Sequence, residues 1–130
     1  MKITSFNPFI ATARPDETVS LFEEMGFEKR HIKQGIEIAD RNDTVIRMKD
    51  ANGFHLDVLQ SNEEQPRDDS IGIRMNVDDF DEACRMLLDH GFRNVYGGET
   101  VQTGSSKAAM MVSPSGFCIS VIQHLKKPEM

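Results

Sequence analysis

His55 and Asp57 stand two residues apart in the run FHLDVLQ. Successive side chains of a strand point to opposite faces, so these two share one face. An imidazole beside a carboxylate has the composition of an acid/base pair, since histidine titrates near neutral pH. The alternative is a surface or cleft histidine with no partner. A second run of the same shape, FCISVIQ, follows 63 residues later and sets Cys118 in the place of His55 and Ser120 in the place of Asp57. A Cys/His pair can be nucleophilic, but no third residue accompanies it, and cysteine is otherwise a small apolar residue. Arg74 and Asn76 alternate with Ile73, Met75 and Val77. An arginine so placed either holds a ligand carboxylate or phosphate with both arms or pairs with Asp57 as a buried charge. Cys84 falls on an apolar stripe and reads as core. His31, His90 and His124 fall at element ends and read as solvated. The chain contains no phosphate-binding loop, CxxC, HExxH or basic stripe.

The elements that must position these residues announce themselves twice. Met25-Gly26-Phe27 closes one amphipathic segment and His90-Gly91-Phe92 closes another, 65 residues later. Asn52-Gly53-Phe54 and Ser115-Gly116-Phe117 open the two runs above. Glycine after the last periodic residue is the mark of a left-handed helix cap. The first unit reads as a strand over 3–13, then a helix begun by Arg14-Pro15-Asp16, with Val19, Phe22 and Met25 at helical spacing. Extended segments follow near Ile36–Ala39 and Thr44–Lys49, with a hairpin turn at Arg41-Asn42-Asp43, and then Phe54–Gln60. The second unit repeats the order. Ile71–Val77 is a strand, and Asp78-Asp79 caps a helix whose Phe80, Ala83, Cys84, Leu87 and Leu88 form one stripe. Gly97-Gly98 and Thr103-Gly104-Ser105-Ser106 are turns around a short strand near Val101, and strands at Lys107–Val112 and Phe117–His124 close the unit. The expected order is βαβββ, twice: residues 1–60, a polar linker at 61–69, residues 70–124, and a tail at 125–130. At 130 residues this is a single domain.

Uniformly apolar strand faces, such as Phe54/Leu56/Val58 and Phe117/Ile119/Val121, should pack on the helices. The mixed faces carry Phe9, Leu59 and Ile122 beside polar groups, which favours a cleft. Its expected lining is Asn7, Phe9, His55, Asp57, Arg74, Asn76, Cys118 and Ser120. One of Met110 and Met111 should face it, Met111 being the expected cleft-side residue.

The net charge is -6. An acidic surface repels phosphate, so nucleic acid and anionic membrane are poor partners. No apolar run lies behind the opening Met-Lys-Ile-Thr, so no signal peptide or spanning helix is read. The expected setting is cytoplasmic, with Cys84 and Cys118 both free thiols.

Two βαβββ units, each with a helix ending in hydrophobic-Gly-Phe, resemble the vicinal oxygen chelate superfamily. That group includes glyoxalase I, bleomycin-resistance proteins and extradiol dioxygenases. Leu21-Phe22-Glu23-Glu24-Met25-Gly26-Phe27 looks like its Phe-Tyr-x-x-Leu-Gly-Phe helix end. Ser113-Pro114-Ser115-Gly116 looks like its Asp-Pro-x-Gly turn, with Ser for Asp. The resemblance spans the chain. It implies an α+β fold of two half-barrels around a cleft, and homodimers in many members. Its enzymes hold a divalent metal on side chains of the first and last strands of each unit. Carried onto this chain, those positions are Asn7, Asp57, Gly72 and Ser120. Gly72 offers no side chain, and Asn7 and Ser120 are neutral oxygen donors.

Three functions follow. The favoured one is a metal-free binder of a small molecule in the cleft, in the manner of bleomycin-resistance-type proteins, with no cofactor; the acidic surface mildly favours a cationic or amphipathic ligand. The second is a metal-dependent glyoxalase-like lyase, isomerase or dioxygenase using Asp57, with His55 as a further ligand. The third is an accessory or scaffold protein whose cleft is filled by its own side chains.

Overall fold

All four punctuating glycines have the backbone that only glycine adopts freely: φ is 106° at Gly26, 90° at Gly53, 87° at Gly91 and 109° at Gly116. The computed structural model describes residues 1–38, 41–60, 68–95, 101–102 and 106–125. The Gly97-Gly98 and Thr103-Gly104-Ser105 turns, most of the linker and most of the tail lie outside the described residues.

The two helices, α1 (Pro15–Glu24) and α2 (Phe80–Asp89), end in the same hydrogen-bond figure. Phe27 N–H donates to the Phe22 carbonyl and Gly26 N–H to that of Glu23. In the second copy Phe92 N–H donates to Leu87 and Gly91 N–H to Leu88. This is the Schellman pattern, which satisfies the carbonyls that a helix end leaves over. The aromatic after each glycine packs inward. Phe27 meets Phe22 of α1 edge-on at 5.6 Å, and Phe92 packs on the core of its unit and meets Phe117 edge-on at 5.4 Å. The helix starts differ. Asp79 caps α2 by accepting from Glu82 N–H at 3.1 Å. Arg14 precedes α1 with no side-chain cap, and Pro15 begins the helix instead.

The chain divides into two compact units, one of Asn7–Gly72 and one of Met1–Phe6 with the chain from Ile73 onward. The border crosses the first strand, β1 (Ile3–Thr12). In the Asn7–Gly72 unit, β2 (Glu28–Ile38), β3 (Arg41–Lys49) and β4 (His55–Gln60) form an antiparallel run, and β4 continues to β1 in parallel. Arg41-Asn42-Asp43, expected as a turn, is the start of β3 and pairs with Ile36–Ile38. His31 lies inside β2 rather than at an element end.

The border also crosses β5 (Ser70–Val77), whose part from Ile73 onward neighbours β9 (Cys118–His124) in the other unit, with β8 (Ser106–Val112) next to β9. The two-residue strands β6 (Arg93–Asn94) and β7 (Val101–Gln102) both pair with β8.

Each unit has its own core. Val19, Ile46, Met48, Leu56 and Val58 pack with Phe22 and Ile10 in one. Met75, Val77, Phe80, Ala83, Ala109, Met111 and Val121 pack with Cys84 and Leu87 in the other. The largest fully buried side chains are Met48, Val58, Met111 and Val121. Each member of the second pair lies 63 residues after its counterpart in the first. The repeat is therefore a repeat of core as well as of turns. Three expectations change here. Phe54 is 66% exposed and Phe117 49%, so the apolar faces of β4 and β9 enter the cores only from Leu56 and Ile119 onward. Met111 lies in the core beside α2, so Met110 is the one on the opposite strand face. Leu88 is 55% exposed and leaves the stripe, which ends at Leu87.

Candidate functional site

The turn that enters β4 sets the position of its side chains. Asp50 Oδ1 accepts from the backbone N–H groups of Asn52 at 3.0 Å and Phe54 at 2.8 Å. In the second copy Ser113 Oγ accepts from Gly116 at 2.9 Å and Phe117 at 3.0 Å. The hydroxyl thus does the carboxylate's work, which accounts for Ser in place of Asp in the turn.

From that turn the antiparallel register pairs Lys49 with His55, Arg47 with Asp57 and Val45 with Leu59. The parallel register of β1 sets Phe9 beside Asp57. Leu56 and Val58 enter the core, so Asp57 points to the other face. It is buried there, with 2% of its surface exposed. Its Oδ1 accepts from Arg47 Nε at 3.2 Å, and its Oδ2 from Asn7 Nδ2 at 3.2 Å. Asn7 Nδ2 also donates to the Pro8 carbonyl at 2.9 Å. The Arg47 side chain is 28% exposed, so solvent reaches the arginine of the pair while the carboxylate is buried.

Burial pushes the Asp57 carboxyl above its ordinary 3.8. The charge of Arg47, the hydrogen bonds from Asn7 and Arg47 and the charge of His55 pull the other way and do not offset it. The site thus holds a carboxylate that the fold would sooner keep neutral, together with the cation that makes its ionised form tolerable.

Of the residues singled out in sequence, the Asn7–Gly72 unit brings Asn7, Phe9 and Asp57 together as buried neighbours. His55 is exposed at the start of β4. In the other unit Arg74 and Asn76 are buried on β5, and Cys118 and Ser120 are half-buried on β9. Arg74 has interactions of its own. Among the described residues, Asn76 Oδ1 and Ser5 Oγ are buried with no hydrogen-bond partner. Burial pushes both thiols, Cys84 and Cys118, above the usual cysteine range, which keeps Cys118 a poor nucleophile at neutral pH. Arg47 is the residue the sequence reading missed. Its signal was available: counting back from the Asp50–Gly53 turn sets it opposite Asp57.

The donor set does not suit a divalent cation. Both oxygens of the single carboxylate already accept hydrogen bonds, one of them from a guanidinium. Among the described residues no three His, Cys, Asp or Glu side chains converge.

The doubled unit, the caps and the strand registers can now be compared with known proteins. No protein-family model matches the chain, and no curated protein does. Solved structures do. A methylmalonyl-CoA epimerase from Mycobacterium tuberculosis superposes with a TM-score of 0.70 at 17% identity, over 95% of this chain and 90% of that one. The fold is that of the vicinal oxygen chelate superfamily. A Streptomyces coelicolor methylmalonyl-CoA epimerase, in complex with 2-nitronate-propionyl-CoA, gives 0.64 at 18% identity, over 96% of this chain and 100% of that one. A variant 4-hydroxymandelate synthase from the same organism gives 0.59 at 11% identity; it covers 99% of this chain, which spans 50% of that one. These superfamily structures bear out the α+β reading of paired βαβββ units. Among the described residues no helix is long and apolar enough to cross a membrane.

Proposed function

We propose that this protein binds a small molecule, without a metal, on the polar strand face that carries Asp57. One observation carries the reading: Asp57, which the superfamily resemblance sets at a metal-ligand position, is held by Arg47 and Asn7. An arginine there repels a cation and replaces the neutralising charge that a metal would bring. The neighbours support a small organic ligand, since one of them holds a CoA ester in its crystal. The protein works as a homodimer in the cytoplasm, its two cysteines free.

The test is a titration with Zn, Ni, Mn or Fe(II), read by calorimetry. Weak, non-stoichiometric uptake that Asp57→Ala leaves unchanged supports the reading. Stoichiometric binding lost in Asp57→Ala would overturn it in favour of a metal-dependent lyase, isomerase or dioxygenase. A thermal-shift screen of metabolite-sized compounds then finds the ligand, because binding to the folded state alone raises the melting temperature. Light scattering reads the dimer directly.

A further inference from the structure

The fold contains its own control for the Arg47–Asp57 pair. Sixty-three residues later, Met110 stands where Arg47 stands and Ser120 where Asp57 stands. The two sets occupy the same register: Arg47 opposes Asp57 across β3 and β4, and Met110 opposes Ser120 across β8 and β9. The surroundings repeat too, with Met48 and Val58 matched by Met111 and Val121 in the cores beneath. A neutral pair therefore satisfies this place in the scaffold. A carboxylate at 2% exposure paired with a guanidinium is a costly occupant of the equivalent place, which in the other unit is half-buried and uncharged.

The guanidinium is also engaged only in part. Asp57 takes Nε, and among the described residues no hydrogen bond or ion pair involves Arg47 Nη1 or Nη2. Those two nitrogens carry four N–H groups in one plane, a fork that matches the two oxygens of a carboxylate. They lie on a side chain that solvent reaches. We propose that Arg47 is the anchor for the carboxylate of a small organic acid, oriented by Asp57 through Nε. Asp57 also sets which anion fits. Its charge beside the fork tolerates a monoanion better than a dianionic phosphate.

This rests on the small-molecule reading above and replaces the cationic ligand that the acidic surface suggested. The probe is a set of matched compounds on the full chain: small aliphatic and aromatic carboxylic acids, the primary amide of each, benzylammonium and phenyl phosphate. Binding is read by calorimetry and melting temperature, with circular dichroism confirming that each variant is folded. At least one acid should bind tenfold or more tightly than its amide. Arg47→Lys, which keeps the charge and loses the fork, should lower that affinity about tenfold, and Arg47→Gln more. Asp57→Asn should shift preference toward phenyl phosphate, a change that a merely structural role for Asp57 would not produce. The proposal is overturned if no acid binds, if amides or benzylammonium bind as well as acids, or if Arg47→Lys binds acids unchanged. It is overturned equally if phenyl phosphate is preferred by the unsubstituted protein. Neutral or cationic binders on a metal-free chain would sink this assignment alone. Stoichiometric metal held by Asp57 would sink the reading beneath it.

Discussion

The two halves of this molecule agree at their helix ends, strand-entry turns and deepest core positions, and differ at their helix starts and on the strand faces turned away from the core. Both helices end with the same Schellman bonds. Both last strands are entered through a turn whose side-chain oxygen accepts two backbone N–H groups, Asp50 in one and Ser113 in the other. Met48 with Val58 and Met111 with Val121 bury the same two places. On the opposite strand faces the correspondence stops: Arg47 and Asp57 answer to Met110 and Ser120, and His55 answers to Cys118. The turns and core positions recur in both units, and the buried charged pair stands in one of them.

The comparison is sharpest where the core is deepest. Met48→Ala and Met111→Ala should each cost about 2–5 kcal/mol through lost contacts and the cavity left behind, measured by urea unfolding. A large cost in one and a small one in the other would break the equivalence of the two cores. The caps come next. A side chain at either positive-φ glycine is strained by roughly 1–2 kcal/mol, so Gly26→Ala and Gly91→Ala both destabilise. Gly91→Ala should be the worse, because its Cβ would lie 3.0 Å from Pro114 Cγ, whereas a Cβ at Gly26 has no atom within 4 Å. Equal costs would mean that Pro114 yields freely. At the turns, Ser113→Ala leaves Phe117 N–H without its acceptor, while Gly116 N–H keeps the Ser113 carbonyl at 3.1 Å, and should cost about 1 kcal/mol. Ser113→Asp should be close to neutral, since the first copy already uses that side chain.

The smallest effect concerns the site, and its sign is unusual. A carboxyl whose folded pKa lies above its unfolded value favours folding below the unfolded pKa, and that contribution is lost as pH rises through the folded pKa. Asp57 is of this kind. At pH 7 its ionised form is therefore a burden, and Asp57→Asn should be neutral or slightly stabilising there. Against the unsubstituted protein, that advantage should shrink as pH falls toward the ordinary 3.8 and vanish below it. Paired chemical denaturation curves across pH measure it. A large loss of stability in Asp57→Asn at pH 7 would show that the pair holds the fold together.

The scaffold is legible in the sequence because local physics wrote it. Gly26, Gly53, Gly91 and Gly116 each need a backbone that few other residues adopt, and their spacing along the chain marks out both units. Asn7 and Asp57 are legible by the same measure. Arg47 takes one step more, because it faces Asp57 through the register of a neighbouring strand, which is reached by counting back from the Asp50–Gly53 turn and leaves no periodic mark along the chain. The long β2 is under-read for a related reason. Glu28–Gln34 mixes charges with a single Ile32, so apolar alternation does not announce it. Met111 and Leu88 are misplaced by pattern alone because a pattern names a face and packing chooses how far the face extends.

The Met110–Ser120 pair has a practical meaning. It is a spare socket, tuned to the same strand spacing, seated on the same kind of core and occupied by two uncharged side chains. Met110→Arg with Ser120→Asp would install a second copy of the charged pair at a place the chain already holds in register. The duplicated architecture is in that sense only half furnished: one unit carries a charged pair at this place, and the other offers an uncharged place in the same register to receive one.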